Sequence, residues 1–352
     1  MPRVKALIEA TAETENLRGR GQRLIWEMPH FELFKQYQAN PNLNVEETTY
    51  CKLVDSVITA YRKKTGRAWV HNLKFIIHSG KERCLQVLRL YDEISLTKKI
   101  EPIDVKATHD GNYIILNGAH RAAIAKILGL KTVPVKIRSV DPELLQLINM
   151  LRRHYVPGKK ILYIPIEHPV FKDWKALRNK TRWLLVQKEF DWKEKTVVDI
   201  GCFTGYFSHK AAQLGAEVTG IEFRPERVEM ARRINELLKL NANFIHGDFF
   251  KYLKGRKVDC VIFFSVLHGL LKNKGMAGAK QALDLISSSS PVMFFDMGQS
   301  NEPKMRSKVW NPLGLTLNKD TIPDLVLSNS KYRHFKHLGT GDTGRDVFKF
   351  VL

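Results

Sequence analysis

The chain is predicted to be an α/β protein: a C-terminal half built on a doubly wound, mostly parallel sheet, preceded by a smaller α+β domain. Three observations predict this. From Thr196 onward, short apolar runs alternate with helical patterns, as expected of parallel strands joined by crossover helices. The first of these runs, Val197-Val-Asp-Ile200, opens into Gly201-Cys-Phe-Thr-Gly205 and then a helical stretch. Two glycines there let the backbone turn and approach a ligand, and the new helix directs its free N–H groups at it. Between Pro102 and Ile137 the texture is instead a hairpin, a short helix and a returning strand. The expected organisation is residues 1–155, a linker or lid segment over 156–190, and a second domain over 191–352.

Composition narrows the class. A chain of 352 residues is long enough for two cores, and 44% hydrophobic residues exclude a disordered chain. No apolar run approaches the roughly 20 residues of a membrane span. The start, Met-Pro-Arg-Val-Lys, lacks the apolar stretch of a secretory signal. Cys51, Cys84, Cys202 and Cys260 are widely separated; no metal site is expected, and a reduced, cytoplasmic setting is. The net charge of +21, from 57 Lys and Arg against 36 Asp and Glu, predicts attraction to polyanions: nucleic acid, nucleotides, phosphorylated glycans or an anionic membrane face, the plainer reading being a merely soluble basic surface. The small basic clusters Arg18–Arg23 and Arg62–Lys64 resemble neither a helix-turn-helix nor a zinc finger.

In order along the chain, Val4–Leu17 is a weakly periodic helix candidate, and Pro29 and Pro41 punctuate an irregular region. Tyr50, Leu53, Val54, Val57, Ile58 and Tyr61 recur at helical spacing, closed by Gly66. A second helix is expected over Lys81–Ile94, with Leu85, Leu88 and Tyr91 on its buried face. Strands follow at Pro102–Lys106, Tyr113–Leu116 and Thr132–Ile137, with a helix over Ala122–Leu128 stopped by Gly129. The loop before that helix carries chemistry. Asn117 can cap it, Gly118 permits close backbone approach, and His120 and Arg121 add donors where a phosphate would sit. The plainer reading is that His120 and Arg121 only cap and solvate a helix start.

The stretch from Lys99 to Val135, with Gly118-Ala-His-Arg121 and the exit Leu128-Gly-Leu-Lys-Thr-Val-Pro-Val135, resembles the ParB/sulfiredoxin-like family over about residues 80–140. The resemblance implies a nucleotide-binding domain, with ATP, ADP or CTP as the ligand class. Asn117, Gly118, His120 and Arg121 would hold its phosphates, and Glu101 would be an acid/base candidate by position. The sulfiredoxin branch's cysteine position is Ala119 here, which argues against sulfinic acid reduction. The partition-protein branch continues into a helix-turn-helix, which this chain does not.

Asp141-Pro-Glu opens another helix, to about Arg153. Val156–Lys160 marks the domain boundary, Ile161–Phe171 is extended because of Pro165 and Pro169, and Asp173–Phe190 is expected to be helical. That helix would bury Trp174, Leu177, Trp183 and Leu184 and turn Arg178 and Arg182 partly outward. The second domain then reads as strand Thr196–Ile200, helix Tyr206–Leu214, strand Glu217–Ile221, helix Pro225–Leu238 and strand Asn243–His246. After these come strand Val258–Phe264, helix Ala277–Ser287, strand Val292–Phe295 and a closing antiparallel pair, Tyr332–Leu338 with Asp346–Val351.

The order of these parts, with Asp199-x-Gly201-x-x-x-Gly205, Glu222 ending the second strand and Asp248 after the third, is similar to the class I S-adenosyl-L-methionine (AdoMet)-dependent methyltransferases over about residues 180–352. The resemblance implies a Rossmann-like sheet. It also implies a cofactor pocket formed by Asp199, Gly201, Cys202, Phe203, Gly205, Glu222, Phe223, Asp248, Phe249 and Ser265. Glu222 would take the ribose hydroxyls and Asp248 the adenine amino group. A dinucleotide dehydrogenase is argued against by Phe203, which stands where the second glycine of Gly-x-Gly-x-x-Gly belongs.

The fourth strand ends Phe264-Ser-Val-Leu-His268, without the Asn/Asp-Pro-Pro-Tyr pattern used on amino groups of bases. His268 and Asp296 are the catalytic candidates at the mouth, beside Glu101 in the first domain. The function expected is methyl transfer from AdoMet to a small-molecule, saccharide or phosphorylated acceptor, anionic or polyhydroxyl. The first domain would bind a nucleotide and on one reading act as a kinase. The alternative is a nucleotide-gated module that recruits a methyltransferase to DNA or RNA.

Overall fold

The computed structural model describes residues 8–65, 70–72, 75–77, 79–154, 160–177, 180–302, 313–341 and 344–352. The chain divides into two compact units, Met1–Leu145 and Gln146–Leu352.

In the first unit, β1 (Ile8–Glu13) and β2 (Leu17–Arg18) precede α1 (Pro29–Ala39) and α2 (Thr49–Thr65). A short antiparallel pair, β3 (Val70–Asn72) and β4 (Phe75–Ile77), leads into α3 (Gly80–Thr97). Then come β5 (Ile103–Ala107), β6 (Tyr113–Asn117), α4 (Ala119–Ile127), β7 (Thr132–Val140) and the start of α5 (Pro142–His154). The sheet order is β1-β7-β5-β6-β2, with β5 antiparallel to β6 and parallel to β7. Period-2 alternation drives it: Ile103, Val105 and Ala107 point into the core from β5, as Val133, Val135 and Ile137 do from β7. Ala122, Ala123 and Ala125 are fully buried in α4, and their small side chains let that helix lie close to its neighbours.

Several expectations are corrected here. The stretch expected as helix from Val4 is a strand from Ile8, because six consecutive residues pair antiparallel with β7; a long-range ladder outweighs weak local propensity. Pro29 opens α1 at its first position, where a missing N–H costs nothing. In α3 the buried face is Cys84, Val87, Leu88, Tyr91 and Ile94, while Leu85 is 43% exposed. In α2 Tyr50, Cys51 and Ile58 are buried, and Leu53 and Val57 are not. The proposed stop at Gly66 lies outside the described residues. Asp141 does cap α5, accepting from Leu144 N–H at 2.7 Å.

In the second unit a parallel pair, β8 (Ile161–Leu162) and β9 (Lys175–Ala176), precedes α6 (Thr181–Val186). The long helix expected over 173–190 is thus only six residues, because Lys175 and Ala176 pair as a strand. Trp183 is buried, but Leu177 and Leu184 are exposed, and Arg182 points inward at 3% exposure. Arg178 and most of the expected boundary at 156–160 lie outside the described residues.

The main sheet comprises β10 (Thr196–Ile200), β11 (Glu217–Glu222), β12 (Asn243–His246), β13 (Cys260–Phe264), β14 (Val292–Asp296), β15 (His334–Thr340) and β16 (Asp346–Val351). Its order is β12-β11-β10-β13-β14-β16-β15, parallel up to β14, with β16 and β15 antiparallel at the edge. The connecting helices are α7 (Tyr206–Gln213), α8 (Pro225–Leu237), α9 (Phe249–Leu253) and α10 (Leu267–Ser289), followed by α11 (Thr321–Ser328). One core packs α9, α10 and α11 on the sheet through Val198, Ile200, Phe263, Leu283 and Phe295; another packs α6 and α7 through Trp183, Phe207, Ile262 and Phe294.

All four cysteines are free and buried, two in each unit. Burial pushes every one of their thiols up, that of Cys84 to about 12.

Candidate active site and anion loop

The sheet reverses its build direction between β10 and β13, so the crevice beyond their carboxyl ends is the site such a sheet offers a ligand. The glycine loop shapes it. Gly201, Phe203 and Gly205 adopt φ of 69°, 56° and 83°. A Cβ on Gly201 would lie 2.6 Å from Val266, and one on Gly205 2.7 Å from the Phe244 ring, so both positions need glycine for space and for conformation.

Glu222, the last residue of β11, closes the loop. Its Oε2 accepts the Phe203 N–H at 3.1 Å and its Oε1 the Arg224 N–H at 3.1 Å, with Arg227 3.5 Å away. Arg227 also lies 4.5 Å over the Phe203 ring, which His154 and Tyr163 approach at 5.5 and 5.0 Å. Oε1 meets two donors, Arg224 N–H and Arg227, while Oε2, with one, keeps a lone pair for a hydroxyl donor. A ribose hydroxyl fits the open side of Oε2, and the glycine cradle fits a cofactor backbone.

The other predicted pocket residues divide. Asp199 is 2% exposed and spends Oδ2 on the Ser208 N–H and hydroxyl, at 3.1 and 2.6 Å. It ties α7 to β10, and burial raises its carboxyl to about 6. Cys202 is buried against Val228, Ala231 and Phe244. Asp248 caps α9 through the Phe250 N–H at 2.9 Å. Phe249 is buried and stacked on Phe250 at 4.3 Å, whereas Phe223 is 77% exposed at the rim. Ser265 holds φ 60° where β13 ends, a backbone state kept at some cost in a non-glycine residue.

At the mouth beyond β13 and β14 lies a chain of charges that sequence reasoning missed in large part. Arg182 donates to Asp296 Oδ2 at 2.8 Å, and the Ser265 hydroxyl donates to Asp296 Oδ1 at 2.8 Å. Arg345 donates to Ser265 Oγ at 2.8 Å and grips Glu302 with two bonds of 2.8 Å. Asp296 is fully buried with both oxygens engaged, which makes it an anchor for the two side chains rather than an open base. Arg345 and Glu302 fall in turn regions with no periodicity, so no spacing flags them.

His268 accepts the Gly298 N–H on Nδ1 at 3.4 Å. Burial, then the charge of Arg345, lowers its pKa to about 4. A neutral ring with Nδ1 accepting carries its hydrogen on the other nitrogen and is a donor there.

In the first unit, Gly118 (φ 98°) rather than Asn117 takes the cap position of α4. Asn117 instead ends β6, paired with Asp104. His120 Nε2 lies 2.7 Å from the Tyr50 hydroxyl, and the His30 ring packs tilted against it at 4.7 Å while meeting the Ala119 carbonyl at 3.2 Å. Burial drives His120 well below its ordinary range and His30 to about 4. Arg121 donates to the Glu101 and Pro102 carbonyls at 3.0 Å each and is 3.5 Å from the Glu101 carboxylate, itself 87% exposed. Sequence reasoning missed His30 and Tyr50, which lie some 70 residues or more before the loop they meet.

The strand order of the main sheet, its glycine loop at the switch point and the acid ending the second strand define the class as a Rossmann-like methyltransferase. Comparison with known proteins agrees. Residues 191–293 match the methyltransferase domain family and residues 80–151 the ParB N-terminal domain family. The chain thus carries a methyltransferase domain in its C-terminal half and a ParB N-terminal domain before it.

Among curated relatives, the O-antigen chain terminator bifunctional methyltransferase/kinase WbdD of Escherichia coli is 27% identical over 111 residues, 30% of this chain and 16% of that protein. A 23S rRNA (uracil(1939)-C(5))-methyltransferase, RlmD of Shewanella, is 31% identical over 112 residues, 30% of this chain and 24% of the relative. The chain therefore spans less than a quarter of either relative's length. A crystal structure of WbdD matches with TM-score 0.48 and 22% identity over 58% of this chain and 46% of that one. Magnesium protoporphyrin IX methyltransferase from Synechocystis with bound AdoMet matches with TM-score 0.36 and 20% identity, over 48% and 75% of the two chains. Among the described residues no helix is long and apolar enough to cross a membrane.

Proposed function

We propose that the C-terminal unit transfers the methyl group of AdoMet to an oxygen of a small-molecule, saccharide or phosphorylated acceptor, and that the N-terminal domain binds a nucleotide (ATP, ADP or CTP) and acts on the same substrate. The observation that carries the first half is the Glu222 carboxylate. It is bound to the glycine loop through the Phe203 N–H at the switch point of the sheet.

Bound there, AdoMet supplies an electrophilic methyl group that needs little activation. The protein's work is alignment in a dry pocket. Gly201 and Gly205 would clear space for the methionine end, Glu222 would hold the ribose, Asp248 would take the adenine amino group and Phe249 would flank its ring. Ser265, fixed by Asp296 and Arg345, and the N–H of His268 orient the acceptor oxygen.

His268→Ala is expected to lower kcat about tenfold, and His268→Gln, which keeps an N–H donor, to recover most of it. Equal losses of about a hundredfold or more in both variants would identify His268 as a general base instead. Methylation is read by mass spectrometry of AdoMet reactions with small-molecule and glycan extracts. The N-terminal half is tested with γ-labelled ATP and candidate sugars. Absent phosphoryl transfer alongside intact methylation removes the kinase reading, and loss of nucleotide binding in Arg121→Ala supports the Gly118–Arg121 loop as the phosphate site.

A second reading, nucleic acid as partner, is favoured by Lys251, Lys254, Arg256 and Lys257, all exposed on α9 and its exit. It predicts oligonucleotide binding that weakens steeply with salt and falls when Lys251, Lys254 and Arg256 are changed to Gln. Binding that salt leaves unchanged rules it out.

A further inference from the structure

We propose that Arg345 recognises an anionic group, a phosphoryl or carboxylate, on the methyl acceptor, and that Glu302 occupies its guanidinium until that group arrives. This rests on the methyl-transfer reading above and narrows its substrate class.

The placement comes first. Arg345 immediately precedes β16, and its Nη1 donates to Ser265 Oγ at 2.8 Å, directly beyond the end of β13. That is the acceptor side of the crevice. The geometry comes second. Nε reaches Glu302 Oε1 and Nη2 reaches Oε2, each at 2.8 Å. Two parallel N–H bonds to two oxygens of one anion are what a phosphoryl or carboxylate group also accepts, so Glu302 has the shape of a substrate group already in place.

Exposure gives a direction. The Arg345 side chain is 8% exposed and that of Glu302 23%. An anion entering from solvent meets Glu302 first and leaves the arginine where it is. Among the described residues Glu302 is otherwise held by the Gln299 N–H at 2.9 Å, inside a turn in which its own N–H returns to Gln299 O.

Charge then decides between addition and exchange. Arg182 and Arg345 balance Asp296 and Glu302, and His268 is neutral at pH 7 because burial lowers its pKa to about 4. A substrate anion added to this set leaves an uncompensated negative charge in a buried cluster, which is costly. A substrate anion that replaces Glu302 keeps the balance. The tethered carboxylate competes at the millimolar effective concentrations typical of a short chain, so the apparent affinity for an incoming anion is weakened until Glu302 is removed.

The test is titration calorimetry of the full chain with inorganic phosphate, with AdoMet binding measured in parallel. Glu302→Gln is expected to bind phosphate about tenfold tighter than the unaltered protein, and Glu302→Gln/Arg345→Met to lose the gain. Phosphate binding by Glu302→Gln no tighter than by the unaltered protein overturns the proposal. A purely structural ion pair predicts that outcome.

Breaking a buried pair can cost stability, so Glu302→Asp provides a second arm. It keeps the charge, shortens the reach by one methylene and spoils the two-pronged fit; an intermediate gain is expected, and none overturns the proposal. Failure of the unaltered protein to bind AdoMet would instead remove the methyl-transfer reading, whatever phosphate does.

Discussion

Glu222→Ala is expected to lower AdoMet affinity by about two orders of magnitude, or about 3 kcal/mol, in a calorimetric titration. On the proposed reading two losses combine: the ribose would lose a charged acceptor, and the loop loses its anchor, because Phe203 and Arg224 both donate their N–H groups to this carboxylate. Arg227 is left beside the Phe203 ring without its counter-ion. Glu222→Gln separates the two contributions: one amide oxygen still accepts a loop N–H, so an intermediate loss is expected. An unchanged affinity in Glu222→Ala would place the cofactor elsewhere and undo the assignment of the crevice.

Acidification from pH 7 to pH 5 is expected to destabilise the fold by about 2 kcal/mol for each deeply buried imidazole. His30 and His209 are 7% and 4% exposed, and burial lowers each to about 4. A group whose folded pKa is depressed contributes stability that is present above its ordinary value near 6.5. That stability is lost as pH falls through the interval toward 4. His209 is the sharper case, because its Nε2 has no hydrogen-bond partner among the described residues.

Asp199 acts with the opposite sign. Its pKa is raised by burial to about 6, so its share of stability is present below the ordinary carboxylate value and lost as pH rises through 6; acidification returns about 1 kcal/mol to the second unit. Denaturant unfolding at pH 7 and pH 5 checks both. His209→Asn should shrink the difference between the two pH values by about 2 kcal/mol. A difference as large as in the unaltered protein would show that this ring does not govern it.

The second unit was the more legible of the two because its signals are local and repeated. Strand, glycine loop, helix and terminal acid recur in a fixed order, and each is a short-range pattern. Even the closing pair of β15 and β16 was legible, from two apolar runs near the end of the chain. The first unit shows what local reading misses. Ile8–Glu13 looks like a poor helix because its strand character comes from β7, more than a hundred residues away. The six-residue α6 was overextended for a related reason: Lys175 and Ala176 are held as strand by Ile161 and Leu162, not by their own preferences.

At the site, residues that turn the backbone were readable, since glycine at Gly201, Gly205 and Gly118 has a conformational cause. Asp199 illustrates the limit. The position is singled out by its place in the motif, and its carboxylate serves Ser208. Arg182, Arg345 and Glu302 were missed as site residues because an ion-pair chain has no period and is assembled from α6, the turn after β14 and the start of β16.

The four cysteines have a practical consequence. Cys51 and Cys84 lie in the first unit, Cys202 and Cys260 in the second, all buried with protonated thiols. An alkylating reagent can reach none of them quickly in the native protein, since it needs an exposed thiolate. Labelling therefore waits on transient opening, and its rate reports the free energy of that opening. Two thiols in each unit make the protein its own pair of stability gauges. A mass spectrum of labelled peptides, taken with and without AdoMet, would read how firmly each unit is closed and which one a ligand tightens.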